Sequence, residues 1–599
     1  MAEQQNDNAA GDSTTAPLPT LEDMQHWTYV MGRAQQLMME HLAKQAGEAG
    51  AKIAAAEPPK PALGAWPGAA LFADPAKLVQ AQVDLWTQGL SLWQRALGGQ
   101  SEKTQLSDKA DKDKRFSAPQ WRDNPLFDTI RQSYLLISDR LLGSVDAIEG
   151  LNERQREQLR FGTQAFVDAM SPSNFVATNP VVLERTVETK GENLLKGLEH
   201  MLRDIEKGQL THTDAEAFEV GRNIATTPGK VVKQTPLYQL IQYAPTTKEV
   251  LETPLIIFPP WINRFYILDL NEKKSFIRWA VAQGLTVFVV SWKSADETLA
   301  DVTMDDYVKA QAEAIDTVRA LLDVKSVHLI GYCVAGTTLA ATLAYLEARG
   351  EADKAASATF FTAQVDFSEA GDLNLFVGDE QMQLIEQLSD KGYMDGRYMA
   401  ATFNMLRGRD LIWSYVTNNY LLGEEYTPFD LLHWNGDTTN LPAKWHKAYL
   451  RDLYRDNKLV QPGGITIDGT PINIGKVKTP SYVQAGREDH IAPAHSVWKI
   501  THHFDGPVRF VLAGSGHIAG VVNPPEANKY QYWTNADKVD TLEEFIEGAR
   551  ETKGSWWPDW IDWIRGQSDE TVFAIGPRIP GEGKLAAIED APGSYVRAR

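Results

Sequence analysis

The segment Ser326–Gly350, "SVHLIGYCVAGTTLAATLAYLEARG", contains the only cysteine of this 599-residue chain. Its first seven residues have the apolar character of a buried strand, and the residues after Cys333 have the composition of a helix that ends at Gly350. Cys333 therefore occupies a sharp turn between a strand and a helix, where the helix N-terminus favours the negative charge of a thiolate. We interpret Cys333 as a nucleophile; the alternative is a small buried apolar side chain.

The residues around Cys333 match the nucleophile elbow, whose usual consensus is G-x-S-x-G. Here the run is Gly331-Tyr332-Cys333-Val334-Ala335-Gly336, with alanine in place of the second consensus glycine. Further candidate strands and helices alternate on both sides of this run, which is typical of a mostly parallel sheet in an α/β domain. The strands are predicted at 231–243, 254–258, 285–290, 326–332, 357–362, 480–486 and 508–514, and the helices at 272–283, 304–323 and 335–349. We predict an α/β-hydrolase fold over residues 216–599.

The remainder of the chain divides by composition. Residues 1–20 are small and polar and are predicted to be disordered, whereas 21–215 is mainly helical in pattern. Within that helical domain, amphipathic helices are expected over 21–48 and 75–97, with flexible linkers near 50–74 and 98–115. From about 366 to 478 the alternation of strands and helices stops, and tryptophan, tyrosine and phenylalanine are frequent. We interpret this stretch as a lid or cap inserted over the carboxyl edge of the sheet.

Two later segments supply a base and an acid for Cys333, in the chain order of nucleophile, acid and histidine. His517 follows a predicted strand within the Gly/Ser-rich loop "AGSGHIAG", and Asp489 follows the preceding strand within "GREDHIAP". Asp366 and Asp437 are alternative acids, since Asp366 also ends a strand and Asp437 lies in the insertion. We favour Asp489, because an acid after this late strand is the commoner arrangement.

An oxyanion hole is expected beside the elbow. The backbone N–H of Val334 is one candidate donor, and an amide in the "PPWIN" run after residues 254–258 is the other. The sequence leaves the choice between Trp261 and Ile262 open.

Bulk composition excludes several classes of function. The formal net charge of −20 at pH 7 disfavours a nucleic-acid partner. One cysteine excludes an intramolecular disulfide. The N-terminus lacks the features of a secretory signal, and no apolar run approaches the length of a membrane span. We expect a cytoplasmic protein without a transmembrane segment.

Several longer motifs resemble the class I polyhydroxyalkanoate (poly-3-hydroxybutyrate) synthases over about residues 116–599. They are "SPSNFVATNP", "FPPWINRFYILDL", "GYCVAGTTLA", "RDLIWSYVTNNYL", "PFDLLHWNGDTTNLP", "GREDHIAP", "GSGHIAGVVNPP" and "GSWWPDWIDWI". Two departures are Ala335 and Trp261, where many members have glycine and cysteine. Trp556, Trp560 and Trp563 in the last motif share one helix face, for which we expect core packing, with a channel wall as the alternative.

The resemblance implies polymerisation of (R)-3-hydroxyacyl-CoA, with 3-hydroxybutyryl-CoA as the expected unit, and release of coenzyme A. Cys333 would hold the growing chain as a thioester and His517 would deprotonate the thiol. Asp489 would either orient His517 or help to activate the substrate hydroxyl. Trp413, Tyr415, Trp434 and His490 lie within the motifs and are candidates for the substrate channel.

The resemblance also implies a homodimer at the surface of a polyester granule, in contact with granule-associated proteins. No metal and no cofactor are expected, since the coenzyme A thioester is the substrate. Two other functions remain open on the sequence: a thioesterase or polyester depolymerase on the same fold, and a granule-binding protein without catalysis.

Overall fold

The structure, a computed structural model, describes residues 26, 28–41, 113–146 and 148–598. The predicted tail over 1–20, the linker near 50–74 and the amphipathic helix over 75–97 lie outside the described residues, as does most of the linker near 98–115. At the end of that second linker, Arg115 pairs with Asp113 at 2.7 Å within a short 3-10 turn, Lys114–Phe116.

An eleven-stranded mixed sheet is the framework of the chain after the N-terminal helices. Its strands are β1 Gly229–Gln234, β2 Tyr238–Tyr243, β3 Leu255–Phe258, β4 Val287–Trp292, β5 Val327–Tyr332, β6 Ala355–Phe361, β7 Ser481–Gly486, β8 Val508–Ala513, β9 Gln531–Thr534, β10 Arg550–Lys553 and β11 Glu589–Asp590. Their order across the sheet is β10-β9-β8-β7-β6-β5-β3-β4-β2-β1-β11. Strands β4, β3, β5, β6, β7 and β8 are parallel neighbours, so their carboxyl ends meet at one edge.

Two features of the sheet differ from the sequence prediction. The single strand expected over 231–243 is the hairpin β1–β2, because Pro236 interrupts the run and the Thr235 N–H donates to the Tyr238 carbonyl at 2.8 Å. Strands β9, β10 and β11 escaped prediction because they are short. The sequence of β10, "RETK", has no apolar residue, as suits a charged strand at the edge of a sheet.

Helices cover both faces of the sheet, and a buried apolar core lies under each layer. The helices of this region are α6 Phe276–Ala282, α7 Met304–Leu322, α8 Val334–Ala348, α13 Ala494–Trp498, α14 Ile500–His503, α15 Leu542–Glu547 and α16 Trp557–Gln567. Helices α7 and α8 contribute to one core and helices α6 and α16 to the other. The parallel strands are buried on both sides, which explains their mainly apolar sequences.

The region before the sheet is helical. Residues 28–41 form a helix, followed by α1 Gln120–Asp123, α2 Pro125–Asp146, α3 Glu153–Ala169, α4 Pro180–Glu188 and α5 Glu192–Lys207. The predicted boundary at 215/216 falls between the end of α5 and the start of β1. Within the described ranges, no helix is both long and apolar enough to cross a membrane.

The segment between β6 and β7 contributes no strand to the main sheet. It contains α9 Asp379–Leu388, α10 Gly396–Leu406, α11 Asp430–Gly436, α12 Ala443–Ala448 and three π-helical turns, Arg409–Trp413, Val416–Leu421 and Tyr449–Arg455. We call this segment, residues 362–480, the cap. Two short strand pairs, 393–394 with 441–442 and 466–467 with 470–471, complete it.

The N-terminal helices are bonded to the cap at several points. Lys196 pairs with Glu425 at 2.6 Å, and the Tyr420 hydroxyl donates to Asp204 at 2.6 Å. Arg409 of the cap pairs with buried Asp168 at 2.6 Å. These ion pairs and hydrogen bonds connect helices α3 and α5 directly to the segment that covers the carboxyl edge of the sheet.

Gly197 of helix α5 packs against the backbone of the cap at Tyr420, and we expect Gly197→Ala to disrupt this packing. A Cβ at this position would lie 1.7 Å from the Tyr420 carbonyl oxygen, so one backbone must move. Such overpacking costs roughly 1–3 kcal/mol. Urea unfolding and hydrogen exchange at 416–421 would measure the loss. The matched control is Gly162→Ala in α3, where a Cβ has nothing within 4 Å. Equal stability of the two variants would contradict the prediction.

Candidate active site

Cys333 lies at the carboxyl end of β5, in a strained turn immediately before helix α8. Its backbone has φ 53° and ψ −126°, a conformation that non-glycine residues rarely adopt outside constrained sites. The Cys333 N–H donates to the Phe361 carbonyl of β6 at 2.9 Å. The surrounding sheet therefore holds the strained residue in place.

The glycines beside Cys333 permit close packing of the strand against the helix. A Cβ on Gly331 would lie 2.5 Å from the Gly336 Cα, and a Cβ on Gly336 would lie 2.4 Å from the Ala363 Cβ. Gly336 thus makes the close approach that a small residue must make here. Ala335, at the second consensus glycine, is fully buried in the core.

Asp489 and His517 meet at the same edge of the sheet as Cys333. Asp489 follows β7 and His517 follows β8, and His517 Nδ1 lies 2.7 Å from Asp489 Oδ2. Cys333 lies close enough to the imidazole for the charge of its thiolate to raise the pKa of His517. The structure therefore brings the three predicted residues together in the order cysteine, histidine, aspartate.

Both oxygens of Asp489 are occupied. Oδ1 accepts the backbone N–H groups of Ile491 at 2.8 Å and Ala492 at 2.9 Å, while Oδ2 faces His517. The Asp489 side chain has no exposed surface. This arrangement fixes the carboxylate and orients the imidazole.

The environment of His517 favours an imidazolium. Burial lowers the pKa of His517, whereas the charges of Asp489 and of a Cys333 thiolate, and the hydrogen bond to Asp489, raise it; the result is a pKa well above the ordinary value. A protonated imidazole between a carboxylate and a sulfur stabilises the thiolate, which is the nucleophilic form of cysteine.

The two alternative acids have other partners. Asp366 accepts hydrogen bonds from Asn457 and Ser368 and pairs with His503 Nε2 at 2.9 Å. Burial raises the pKa of Asp366, but those partners bring it below the usual value.

Asp437 is buried against Arg264, at 3.3 Å, and accepts the Tyr266 hydroxyl at 2.7 Å. Of the three candidate acids, Asp489 is the one that is hydrogen-bonded to His517.

The predicted oxyanion donors lie on the two expected elements. Val334 is the first residue of α8, where backbone N–H groups have no acceptor within the helix. Trp261 follows β3 and is buried, with its ring stacked on Tyr307 at 3.8 Å. Its carbonyl accepts the Thr439 hydroxyl of the cap at 2.6 Å. Ile262 comes next and is half-buried. The choice between the Trp261 and Ile262 amides stays a prediction.

Comparison with known proteins now bears on this site. The family model described as "Poly-beta-hydroxybutyrate polymerase (PhaC) N-terminus" matches residues 112–280, and the model "alpha/beta hydrolase fold" matches residues 270–524. A poly(3-hydroxyalkanoate) polymerase subunit of Rhizobium meliloti (strain 1021) is 45% identical over 537 residues, which is 88% of this chain and 87% of that protein. The chain belongs to the poly(3-hydroxyalkanoate) polymerase family.

Other relatives agree with this membership. The poly(3-hydroxyalkanoate) polymerase subunit of Cupriavidus necator is 41% identical to this polymerase, covering 88% of this chain and 89% of its own. Among solved structures, a hydrolase from Pseudomonas aeruginosa PA01 is 13% identical, with a TM-score of 0.28, and covers 49% of this chain and 92% of its own. A score this low supports no functional argument.

The four channel candidates of the polymerase occupy different places. His490 is half-buried, and burial lowers its pKa. The charge of Asp489 raises this pKa and that of His517 lowers it, which places His490 near the site. The Tyr415 ring packs edge-on against His212 at 4.6 Å, which attaches it to the N-terminal region.

The remaining two candidates are tryptophans of the cap. Trp434 is buried in the core and donates its indole N–H to the Arg264 carbonyl at 2.7 Å, which is a packing role. Trp413 is half-buried at the end of a π-helical turn. A role in the channel stays a prediction for these residues.

Two buried tyrosines of the cap, Tyr449 and Tyr454, lie within electrostatic range of Cys333 and were not predicted. Burial raises the pKa of both phenols, and the charge of a Cys333 thiolate raises it further, so both stay protonated. They lie five residues apart in the π-helical turn Tyr449–Arg455, and the i to i+5 hydrogen-bonding pattern of such a turn brings them to one face. The sequence shows that the cap is rich in aromatic residues, but no sequence pattern predicts a π-helix.

We expect Asp489→Asn to lower kcat by roughly 10² to 10⁴-fold, since an amide cannot stabilise the imidazolium and favours the wrong tautomer. The matched control is Asp366→Asn, which removes a comparable carboxylate that pairs with His503 and should reduce stability more than kcat. Release of coenzyme A and thermal unfolding would be measured for both. A larger loss of kcat in Asp366→Asn would show that the acid has been wrongly assigned.

Proposed function

We propose that this chain polymerises (R)-3-hydroxyacyl-CoA, with 3-hydroxybutyryl-CoA as the preferred unit, and releases coenzyme A through an acyl-cysteine intermediate. The observation that supports this most strongly is the hydrogen bond of His517 to Asp489, at 2.7 Å, within electrostatic range of Cys333 at the nucleophile elbow, in a member of the polymerase family.

In the first half-reaction, the Cys333 thiolate attacks the thioester carbonyl. A new C–S bond to the enzyme forms, the C–S bond to coenzyme A breaks, and the leaving thiolate takes the proton of the His517 imidazolium. Exchange of one thioester for another is nearly balanced in energy, so the acyl-enzyme persists until an acceptor arrives.

In the second half-reaction, the 3-hydroxyl of another unit attacks the acyl-cysteine. Neutral His517 accepts the hydroxyl proton, an ester C–O bond forms, and the C–S bond to Cys333 breaks. This restores the thiolate and the imidazolium. His517 therefore acts as the proton carrier in both steps.

We assign Asp489 to orientation of His517, not to direct activation of the substrate hydroxyl. Its Oδ1 accepts two backbone N–H groups, its Oδ2 faces the imidazole, and its side chain is fully buried. A substrate hydroxyl has no access to it in this arrangement.

Exclusion of water is what separates polymerisation from hydrolysis. Tyr449 and Tyr454 of the cap are buried within electrostatic range of Cys333, and Trp445 stacks on Tyr449 at 4.9 Å. This aromatic wall supports transfer of the acyl group to a hydroxyl over transfer to water.

The test is incubation of the purified chain with 3-hydroxybutyryl-CoA, followed by measurement of free thiol and analysis of the products. Insoluble polyester together with released coenzyme A is the expected result. Free 3-hydroxybutyrate as the sole product would overturn the proposal and identify a thioesterase or depolymerase. Repeating the analysis with longer acyl chains would test the preference for a short unit.

We further propose that the enzyme works in the cytoplasm as a homodimer at the surface of polyester granules, with granule-associated proteins as partners. The helix over 28–41 supports granule contact, because it exposes Tyr29, Met31, Met38 and Met39 while Val30 is buried. Sedimentation of the protein with and without polyester particles would test the homodimer and the binding to the granule surface. The proposed chemistry needs no metal and no cofactor, since thiolate, imidazole and thioester supply every reacting atom.

A further inference from the structure

The loop that bears His517 receives two hydrogen bonds from the start of helix α16. The Trp556 indole N–H donates to the Gly520 carbonyl at 2.7 Å, and the Trp557 indole N–H donates to the Val521 carbonyl at 2.9 Å. Both side chains have zero exposed surface. Three and four residues after the histidine, the loop backbone is thus tied to a helix from the far end of the chain.

The rest of this loop is a tight turn without regular secondary structure. The Gly520 N–H donates to the Gly516 carbonyl at 2.9 Å, closing a turn around His517, and the Tyr332 hydroxyl donates to the His517 carbonyl at 3.1 Å. Displacement of Gly520 would therefore displace the backbone on both sides of the imidazole. Asp489, by contrast, is fixed by its own backbone contacts.

The two tryptophans are themselves firmly held. The Trp556 ring packs against Phe361 at 5.1 Å, and the Trp557 ring packs edge-on against Phe276 at 5.1 Å. Phe361 is the residue whose carbonyl accepts the Cys333 N–H. Trp556 thus packs against the residue that binds the Cys333 backbone and also donates a hydrogen bond to the loop of His517.

We propose that Trp556 and Trp557 are positioning residues for His517. Their indole N–H groups hold the loop so that the imidazole keeps its hydrogen bond to Asp489 within electrostatic range of Cys333. In such a geometry a displacement by about 1 Å is costly to catalysis. The role assigned to His517 rests on the proposed function, whereas the state of the Cys333–His517 pair is measurable without any substrate.

The experiment compares Trp556→Phe with Trp560→Phe. Trp560 lies in the same helix, is equally buried, and donates its indole N–H to the Thr359 hydroxyl of β6 at 3.0 Å instead of to the loop. Both variants lose one buried N–H and similar volume, so loss of stability alone affects both.

The decisive readout is the rate at which iodoacetamide alkylates Cys333, measured from pH 5 to 10. The chain has one cysteine, so the reaction reports that thiolate alone. For Trp556→Phe we expect alkylation at pH 6.5 to fall roughly tenfold, because a displaced imidazolium no longer stabilises the thiolate at a pH where a free thiol is protonated. At pH 10 a free thiol is ionised without an imidazolium, so we expect no change there. Trp557→Phe should behave in the same way, and Trp560→Phe should follow the wild-type profile.

Wild-type alkylation profiles in both loop variants would overturn the inference, and so would an equal change in Trp560→Phe. If the loop variants show the expected profile while the wild-type chain makes no polyester, the positioning role stands and the proposed function fails. If a loop variant is insoluble, the other one is sufficient for the test.

Discussion

Replacing Cys333 by alanine is expected to abolish release of coenzyme A from 3-hydroxybutyryl-CoA, with a loss of at least ~10⁴-fold in kcat. The reason is that the acyl group has no other thiol on which to be held, since the chain contains one cysteine. Cys333→Ser should also lose most of the activity, because an alkoxide forms far less readily than a thiolate at neutral pH.

The measurement is colorimetric detection of free thiol, with the wild-type background of one protein thiol subtracted. Thermal unfolding is the control: alanine relieves none of the strain at φ 53°, so the variant should fold with a midpoint near that of the wild type. Full release of coenzyme A by Cys333→Ala would remove the basis of the proposed mechanism.

His517→Gln is the second large effect, with an expected loss of roughly 10³-fold or more in kcat. Glutamine neither accepts the hydroxyl proton nor supplies a positive charge to the thiolate. Because the pKa of His517 is raised well above its ordinary value of about 6.5, the imidazolium of the wild type persists through neutral pH. It is lost only as the pH rises through that higher value.

The pH dependence follows from this sign. Alkylation of Cys333 in His517→Gln should be much slower than in the wild type at pH 7. The two rates should converge near pH 10, where a free thiol with an ordinary pKa of about 8.5 is ionised without an imidazolium partner. His503→Gln is the matched control, since His503 is also a histidine paired with a carboxylate, Asp366, at 2.9 Å. Identical alkylation profiles for His517→Gln and the wild type would contradict the assigned pair.

The sequence by itself determined the central strands and the elbow, and it favoured His517 and Asp489 as partners of the cysteine. Residues 326–332, 480–486 and 508–514 are mainly apolar, as is typical of strands buried on both faces. Parallel strands end at a common edge, so residues that follow them in the chain meet in space. This is why Cys333, Asp489 and His517 were predictable although 156 residues separate the first two.

The choice among acids needed tertiary structure. Asp366, Asp437 and Asp489 all occupy plausible positions in the sequence, but two of them are satisfied by His503 and by Arg264, which are distant in the chain. Side-chain pairing of this kind depends on packing between elements, and no local pattern encodes it.

Only the tertiary structure identified the supports of the site. The π-helical turn that aligns Tyr449 with Tyr454, and the indole hydrogen bonds from Trp556 and Trp557 to the histidine loop, have no periodic signal. In the sequence, the last tryptophan motif indicated a helix face packed against the core. This is correct, since Trp556 and Trp560 are fully buried and Trp563 packs, half-buried, against the same core. Local periodicity reports which face of an element is buried, whereas the partner of each buried N–H is decided by segments that meet only when the chain folds.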